Sequence, residues 1–190
     1  MAKKILLLAS GGGTLAESVI DAVISKELDC QIVAVISDRP APVLELAQRK
    51  GCPSALVNFS DYSDRETWSE ELEKVVESYS PDLVVSVGFM RILSSHFVDR
   101  FPIINTHPAL LPLFPGAHAV RDALASGATE TGTTVHWVDA GVDTGKVISQ
   151  VKVAVIPGDT EESLHERIKI QERILIVETL KTLAQSGLEK

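Results

Sequence analysis

The sequence predicts an α/β fold: a Rossmann-like open, mainly parallel sheet with helices on both faces and an antiparallel hairpin at one edge. Short, continuous apolar runs alternate with amphipathic segments in the first half of the chain, as in βαβ units whose strands are buried on both faces. A glycine turn joins the first run to the first amphipathic segment. Two alternating apolar and polar runs near the C-terminus then predict a long hairpin.

The elements follow from these patterns in chain order. Strands are predicted at Lys4–Ala9, Gln31–Ser37, Gly51–Val57, Leu83–Val87, from Ile103, and in a hairpin of Thr131–Val138 and Val147–Val155; helices are predicted at Leu15–Ser25, Pro42–Lys50, Asp64–Tyr79, His118–Ser126 and Glu161–Gln185.

The composition is that of a soluble globular protein, with 45% apolar and 23% charged residues. A length of 190 residues suits one domain spanning 1–190. The net charge of −8 argues against a nucleic-acid partner, although a local group of backbone N–H groups could still bind an anion. Cys30 and Cys52 lack metal-ligand spacing and are expected to be reduced, and no apolar run is long enough to span a bilayer. A cytoplasmic protein is expected.

The turn Gly11–Thr14 follows the first strand and opens the first helix. Free backbone N–H groups at such a helix N-terminus can hold a phosphate. The pattern alone is weak evidence, because it lacks a full G-x-G-x-x-G and Asp38 is the only acidic candidate for a ribose contact at the end of the next strand.

The stretch Ile103–Gly116, IINTHPALLPLFPG, is the strongest candidate site. Asn105 and His107 are two residues apart in a predicted strand, so their side chains face the same space. Three prolines then hold the following loop away from helix and strand. Asp139 and Asp143 lie in a glycine-punctuated loop inside the predicted hairpin.

These residue types suit acyl-group chemistry without a protein nucleophile. An amide can donate to a developing oxyanion, an imidazole can donate to it or relay a proton, and a carboxylate can fix the imidazole tautomer. No G-x-S-x-G motif is present and no cysteine is near His107, so the nucleophile would be a substrate amine or water. By contrast, His136 is expected to be structural.

The segment Gly88–Leu93, GFMRIL, follows the fourth strand, where open α/β sheets bind ligands. Its apolar residues Met90, Ile92 and Leu93 suit either the core or the wall of a pocket for a flat ring. Arg65 reads as a solvated charge in the first turn of a helix unless a partner uses it.

Together, N-T-H-P-A-L-L-P-x-F-P-G, the preceding GFMRIL and the following T-x-x-H-x-V-D-x-G-x-D-T-G-x-x-x-x-Q resemble the phosphoribosylglycinamide formyltransferases over nearly the whole chain. The resemblance implies transfer of a formyl group from the co-substrate 10-formyltetrahydrofolate to the glycyl amine of 5'-phosphoribosylglycinamide, a step of purine biosynthesis. It implies small-molecule partners only, no metal, and a monomer or homodimer.

The resemblance also implies roles for individual residues. The catalytic group would be Asn105, His107 and Asp143. Contacts to the ribonucleotide would come from Gly12, Gly13, Thr14, Leu15, Pro108 and Glu172. Contacts to the folate would come from Arg65, Met90, Arg91, Ile92, Leu93, Asn105, Val138, Asp139, Ala140, Gly141 and Asp143. Leu15 stands where many members have Asn, which leaves only its backbone N–H for the phosphate.

Three alternatives share parts of this pattern. Formyltetrahydrofolate deformylases use water as the acceptor, but they carry an additional N-terminal domain and have a second His where this chain has Pro108. Methionyl-tRNA formyltransferases need a C-terminal tRNA-binding domain. A non-catalytic nucleotide-binding module would use Gly11–Thr14 and leave the Asn, His and Asp residues unexplained.

Overall fold

A computed structural model describes residues 2–186 and contains one seven-stranded sheet in the order β3-β2-β1-β4-β5-β6-β7. The strands are β1 Lys3–Leu8, β2 Cys30–Ser37, β3 Ser54–Leu56, β4 Leu83–Ser86, β5 Ile103–His107, β6 Glu130–Trp137 and β7 Val147–Ala154. The helices are α1 Thr14–Ile24, α2 Pro42–Arg49, α3 Arg65–Ser78, α4 Ser95–Arg100, α5 Ala119–Ala125 and α6 Glu161–Ser186.

The sheet has a parallel part and an antiparallel part, which confirms the predicted fold class. Strands β3, β2, β1, β4 and β5 pair in parallel, whereas β6 pairs antiparallel with both β5 and β7. The strand order reverses between β1 and β4, where open α/β sheets form a ligand crevice at the carboxyl ends of their strands.

Helices cover both faces of the sheet because its strands are apolar on both sides. On one face, Ile5 and Leu7 of β1 pack with Ile20 of α1 and Ile176 of α6. On the other face, alternate residues of the same strands pack against Trp68 and Leu72 of α3 and Phe97 of α4. This packing holds the carboxyl ends of β1, β4 and β5 in fixed positions. Among residues 2–186, no helix has the length and apolar character needed to cross a membrane.

Most predicted boundaries agree with the structure to within one or two residues, and side-chain caps explain several of them. The Asp64 side chain accepts a 2.8 Å hydrogen bond from the N–H of Thr67 at the start of α3. Thr160 and Ser163 cap α6 reciprocally, each backbone N–H donating to the other hydroxyl.

Three details were not predicted. Strand β3 is Ser54–Leu56 rather than Gly51–Val57, because it pairs only with the end of β2. The short helix α4 was missed, since six residues are too few to show a helical period; its N-cap is Ser94, whose hydroxyl accepts from the N–H of Phe97. A 3₁₀ turn at Phe59–Asp61 was also missed.

Candidate active site

A pocket of about 680 Å³ lies beyond the carboxyl ends of β1, β4 and β5. Its size is that of a site for a small organic ligand. Most of the residues singled out from the sequence line it: Gly12, Gly13, Thr14, Leu15, Met90, Arg91, Ile92, Leu93, Asn105, His107, Pro108, Val138, Asp139, Gly141, Asp143 and Glu172.

Two of the predicted folate contacts are not part of the pocket lining. Ala140 lies in the loop after β6, but its neighbours rather than Ala140 itself face the cavity. The guanidinium of Arg65 donates a hydrogen bond to the carbonyl oxygen of Ile92. Arg65 is exposed, in agreement with the solvated charge that the sequence suggested, and its hydrogen bond supports the pocket wall from outside.

His107 and Asp143 meet although they are distant in the sequence. Nδ1 of His107 is 3.3 Å from Oδ2 of Asp143, and Nε2 of His107 is 2.8 Å from the carbonyl oxygen of Phe114. A carbonyl oxygen can only accept, so Nε2 carries a proton. The Asp143 carboxylate then faces Nδ1 of the same ring.

The loop geometry fixes the Asp143 carboxylate. Asp143 has a positive φ of 55°, and its Oδ2 accepts a 2.8 Å hydrogen bond from the N–H of Gly116. Burial opposes ionisation, but contacts with His136 and Gly116 and the nearby His107 outweigh it and hold the pKa of Asp143 below its ordinary value. Asp143 is therefore a carboxylate at neutral pH.

Asp139 has a different position in the same loop. Its Oδ1 accepts hydrogen bonds from the N–H of Gly141 at 3.0 Å and from the hydroxyl of Thr144 at 2.7 Å. These contacts close the loop on itself, as in an Asx turn. Asp139 lines the pocket but shapes the loop rather than touching His107.

Asn105 contacts His136, a residue that sequence reasoning assigned to the structure rather than to the site. Nδ2 of Asn105 is 3.4 Å from Nε2 of His136, whose Nδ1 is 2.9 Å from the carbonyl oxygen of Trp137. Since that carbonyl requires a donor, Nδ1 carries a proton, and Nε2 faces both the Asn105 amide and the Asp143 carboxylate. His136 thus orients the Asn105 amide and also lies 3.6 Å from Oδ1 of Asp143.

The glycine turn after β1 leads directly into α1. Gly13 is the N-cap of α1 and has φ 82°, a left-handed conformation that favours glycine. A Cβ at this position would be 2.6 Å from Cγ2 of Val43 in α2, whereas a Cβ at Gly12 would meet nothing within 4 Å. Gly13 is therefore required for packing, and Gly12 presents its backbone to the pocket.

Residues 88–93 form the opposite wall of the pocket. The sequence left Met90, Ile92 and Leu93 open between core and pocket. Met90 is 70% exposed and Ile92 is 59% exposed, so neither belongs to the core. Large exposed apolar side chains at the rim of a cavity suit an aromatic or apolar ligand.

Helix α6 contributes polar groups that sequence reasoning mostly missed. His165, Lys169 and Arg173 line the pocket together with Glu172. The spacing of His165, Lys169 and Glu172 places them on one face of a helix, and this polar stripe was the available signal. Burial raises the pKa of Glu172 to about 7, although Lys169 and Arg173 oppose the shift.

Asp38, the acidic candidate for a ribose contact, does not reach the pocket. Its side chain is fully buried and is bound by Arg39 and Arg91. Among residues 2–186, no group of three or more His, Cys, Asp or Glu side chains is arranged to hold a metal ion.

Comparisons with known proteins place this site in context. The formyl transferase family model matches residues 3–180. A phosphoribosylglycinamide formyltransferase of Mycobacterium tuberculosis is 46% identical over 97% of this chain and 86% of its own length. The enzyme of the same name from Escherichia coli is 39% identical over 90% of this chain and 82% of its own. The structure of glycinamide ribonucleotide transformylase 1 from Symbiobacterium toebii superimposes with a TM-score of 0.94 at 37% identity, covering 97% of this chain and 88% of that one.

Proposed function

The chain belongs to the formyl transferase family, and we propose that Asn105, His107 and Asp143 carry the chemistry of its formyl transfer. It acts as a transferase of purine biosynthesis that moves a formyl group from 10-formyltetrahydrofolate to the glycyl amine of 5'-phosphoribosylglycinamide. The observation that carries the residue assignment is the 3.3 Å contact between His107 and Asp143 inside the pocket, with Asn105 on the same strand.

In the proposed reaction the amine attacks the formyl carbon directly. A bond forms between the amine nitrogen and the formyl carbon, and the bond from that carbon to N10 of the folate then breaks. The amine loses one proton and N10 gains one. Negative charge develops on the formyl oxygen, and a preorganised N–H donor is the usual means of stabilising such a charge.

Asn105 supplies that donor in the proposed mechanism. The Asn105 amide nitrogen lies 3.4 Å from Nε2 of His136, a contact that holds the amide in place, and the amide provides an N–H for the oxyanion. His107 lies beside the same centre, and the Asp143 carboxylate, 3.3 Å from its Nδ1, would stabilise a positive charge that forms on the ring during the reaction. Both ring nitrogens of His107 have protein partners, so direct proton transfer from the ring would require exchange of the Phe114 carbonyl for a substrate atom.

The two substrates are assigned to opposite parts of the pocket. The phosphate of the ribonucleotide is placed at the backbone of Gly12, Gly13, Thr14 and Leu15, with Pro108 and Glu172 near the rest of that molecule. The folate ring is placed between the wall Met90–Leu93 and the loop 138–143, both of which line the cavity. We place Arg65 outside this wall as a supporting residue, through its hydrogen bond to Ile92, and we assign no folate contact to Ala140.

Transfer to the amine and hydrolysis by water can be distinguished by their products. We expect formylated ribonucleotide when the protein is incubated with both substrates, and little formate when the ribonucleotide is left out. The Asp143→Asn variant, purified in parallel, controls for contaminating activity. Formate release at a comparable rate without the amine would instead identify a deformylase.

The remaining assignments are proposals of the same kind. The chain would act as a single domain, as a monomer or homodimer, in the cytoplasm. Its two cysteines, Cys30 and Cys52, are both free thiols. Burial raises the pKa of each thiol and thereby keeps it in the less reactive protonated form. No step of the proposed mechanism requires a metal.

A further inference from the structure

The buried carboxylate of Asp38 lies at the end of β2, behind the pocket rather than in it. Its side chain has no exposed surface. Nε of Arg91 is 2.8 Å from Oδ2, and Arg39 binds both carboxylate oxygens, with its Nη2 also 2.8 Å from Oδ2. Burial opposes ionisation of this carboxyl, but hydrogen bonds from Arg39, Ser10 and Arg91 outweigh it and keep the pKa of Asp38 below its ordinary value. The carboxylate is therefore charged.

The Arg91 side chain joins this carboxylate to the pocket wall at residues 88–93. Its guanidinium carbon also lies 4.0 Å from the centroid of the Phe59 ring, a cation–π contact. The Ser10 hydroxyl, which contacts Asp38, accepts a 2.8 Å hydrogen bond from the N–H of Met90. The wall is thus attached to Asp38 both through the Arg91 side chain and through Ser10.

These attachments are needed because the wall has no regular secondary structure of its own. Phe89 stacks on Trp68 at a centroid distance of 6.3 Å, and Arg65 donates to the carbonyl of Ile92 from outside. Between these two points, Met90 has an exposed side chain and only its backbone is held. A backbone segment held by charged hydrogen bonds presents its pocket-facing atoms in one fixed arrangement.

We propose that Asp38 is a positioning residue for the folate: through Arg91 it fixes the backbone of residues 88–93 in the conformation that binds the folate ring. This inference rests on the proposed assignment of that wall to the folate. It assigns Arg91 an indirect role, since its guanidinium binds Asp38 and packs on the Phe59 ring. It also explains the burial of Asp38, which a ribose-binding carboxylate would not need.

Two arginines on one carboxylate provide a matched pair of variants. Arg91→Gln and Arg39→Gln each remove one guanidinium from Asp38, but only Arg91 belongs to the wall, and Arg39 does not line the pocket. We expect Arg91→Gln to raise the KM for 10-formyltetrahydrofolate about tenfold, the loss expected for one charged hydrogen bond. The ribonucleotide KM and kcat should stay within about twofold. Arg39→Gln should leave all three parameters near those of the unmodified protein.

Two further measurements separate positioning from general stability. Backbone hydrogen exchange in residues 88–93 should become faster in Arg91→Gln and not in Arg39→Gln, and Arg91→Lys should recover part of the folate KM. Equal effects of Arg91→Gln and Arg39→Gln on the folate KM, or equal effects of Arg91→Gln on both substrates, would overturn the proposal.

The proposed function can fail separately from this inference. If the unmodified protein does not transfer formyl groups, the enzymatic assignment is wrong. Binding of a stable reduced folate, 5-formyltetrahydrofolate, measured by calorimetry, then tests the role of Asp38 without turnover. The proposal requires weaker binding to Arg91→Gln than to Arg39→Gln, and equal binding to both variants would contradict it.

Discussion

The two sides of the pocket are built from different parts of the chain and in different ways. On the antiparallel side, β5, β6 and their loops contribute side chains whose polar atoms contact one another: His107 and His136 are buried, and Asn105 and Asp143 are partly buried. On the parallel side, the segments that follow β1 and β4 contribute the turn 11–14 and the wall 88–93, which includes the exposed apolar side chains of Met90 and Ile92.

Because of this difference, we expect one side of the pocket to act on the reacting atoms and the other side to bind the rest of each substrate. Side chains that hold charge beside the reacting atoms lower the barrier of the reaction. Groups that hold only remote parts of a substrate change its affinity. Changes on the antiparallel side should therefore act on kcat or on ionisation, and changes on the parallel side should act on KM.

The largest effect is expected at Asp143. Asp143→Asn keeps the shape of the side chain but removes the charge beside His107, and kcat should fall by roughly 10²–10⁴, the range for a lost acid–base partner. The KM for the ribonucleotide should change little. Steady-state kinetics with each substrate varied in turn measures both parameters.

Asp139→Asn is the matched control, because Asp139 lies in the same loop and lines the same pocket. Its carboxylate binds Gly141 and Thr144 rather than His107, so only a small change in kcat is expected. Similar losses in the two variants would mean that both carboxylates only shape the loop. A larger loss at Asp139 would mean that the catalytic carboxylate has been misassigned.

Glu172 is the second test, because it is buried beside the pocket without the partners that Asp143 has. It is 8% exposed, and no hydrogen bond or ion pair of its carboxylate occurs within the described residues. Its pKa rises from 4.5 to about 7 on burial, so the folded state binds more protons than the unfolded state between these values. Stability contributed by neutral Glu172 is therefore lost as pH rises towards 7.

Glu172→Gln should remove this pH dependence. The free energy of unfolding of the variant, relative to that of the unmodified protein, should rise by on the order of 3 kcal/mol at most from pH 5 to pH 8. Urea unfolding at both pH values measures this difference.

Glu73→Gln is the control, since Glu73 is also buried, at 7% exposure, but is paired with Arg100 and His96. Burial opposes ionisation of Glu73, but these partners lower its pKa, so its variant should be destabilised similarly at both pH values. If Glu172→Gln changed the free energy of unfolding by the same amount at pH 5 and pH 8, the raised pKa assigned to Glu172 would be contradicted.

The sequence predicted the parts of this arrangement that depend on local pattern. Apolar runs revealed the strands, and the i, i+2 spacing placed Asn105 and His107 in one space because a strand has a period of two. The resemblance to the family supplied Asp143, whose approach to His107 depends on two loops meeting. A pattern of residues along the chain does not show how close two loops come to each other in the fold.

The missed features depend on contacts between distant segments. His136 looked structural because one imidazole in a strand usually is, and its link to Asn105 exists only once β5 pairs with β6. Asp38 was the only acidic candidate for a ribose contact because it follows β2, but Arg91, far along the chain, folds back onto it. His165 and Lys169 share a helix face with the predicted Glu172, and this face lines the pocket only because α6 packs across the sheet.

The smallest effect is expected on the parallel side, at Gly12. Its backbone faces the pocket, and a Cβ there would meet no protein atom within 4 Å. Gly12→Val should therefore fold normally while its side chain occupies space next to the N–H groups assigned to the phosphate. The KM for the ribonucleotide should rise about tenfold, as for loss of one hydrogen bond to a charged group, with the folate KM and kcat nearly unchanged.

Gly13→Val separates this binding effect from damage to the fold. Its Cβ would lie 2.6 Å from Val43 in a backbone with φ 82°, so the variant adds overpacking of about 1–3 kcal/mol to the strain of a left-handed β-branched residue. Thermal unfolding should show a lower Tm for Gly13→Val and an unchanged Tm for Gly12→Val. If Gly12→Val raises both KM values equally, the turn does not bind the phosphate selectively, and the proposed division between the two sides of the pocket is wrong.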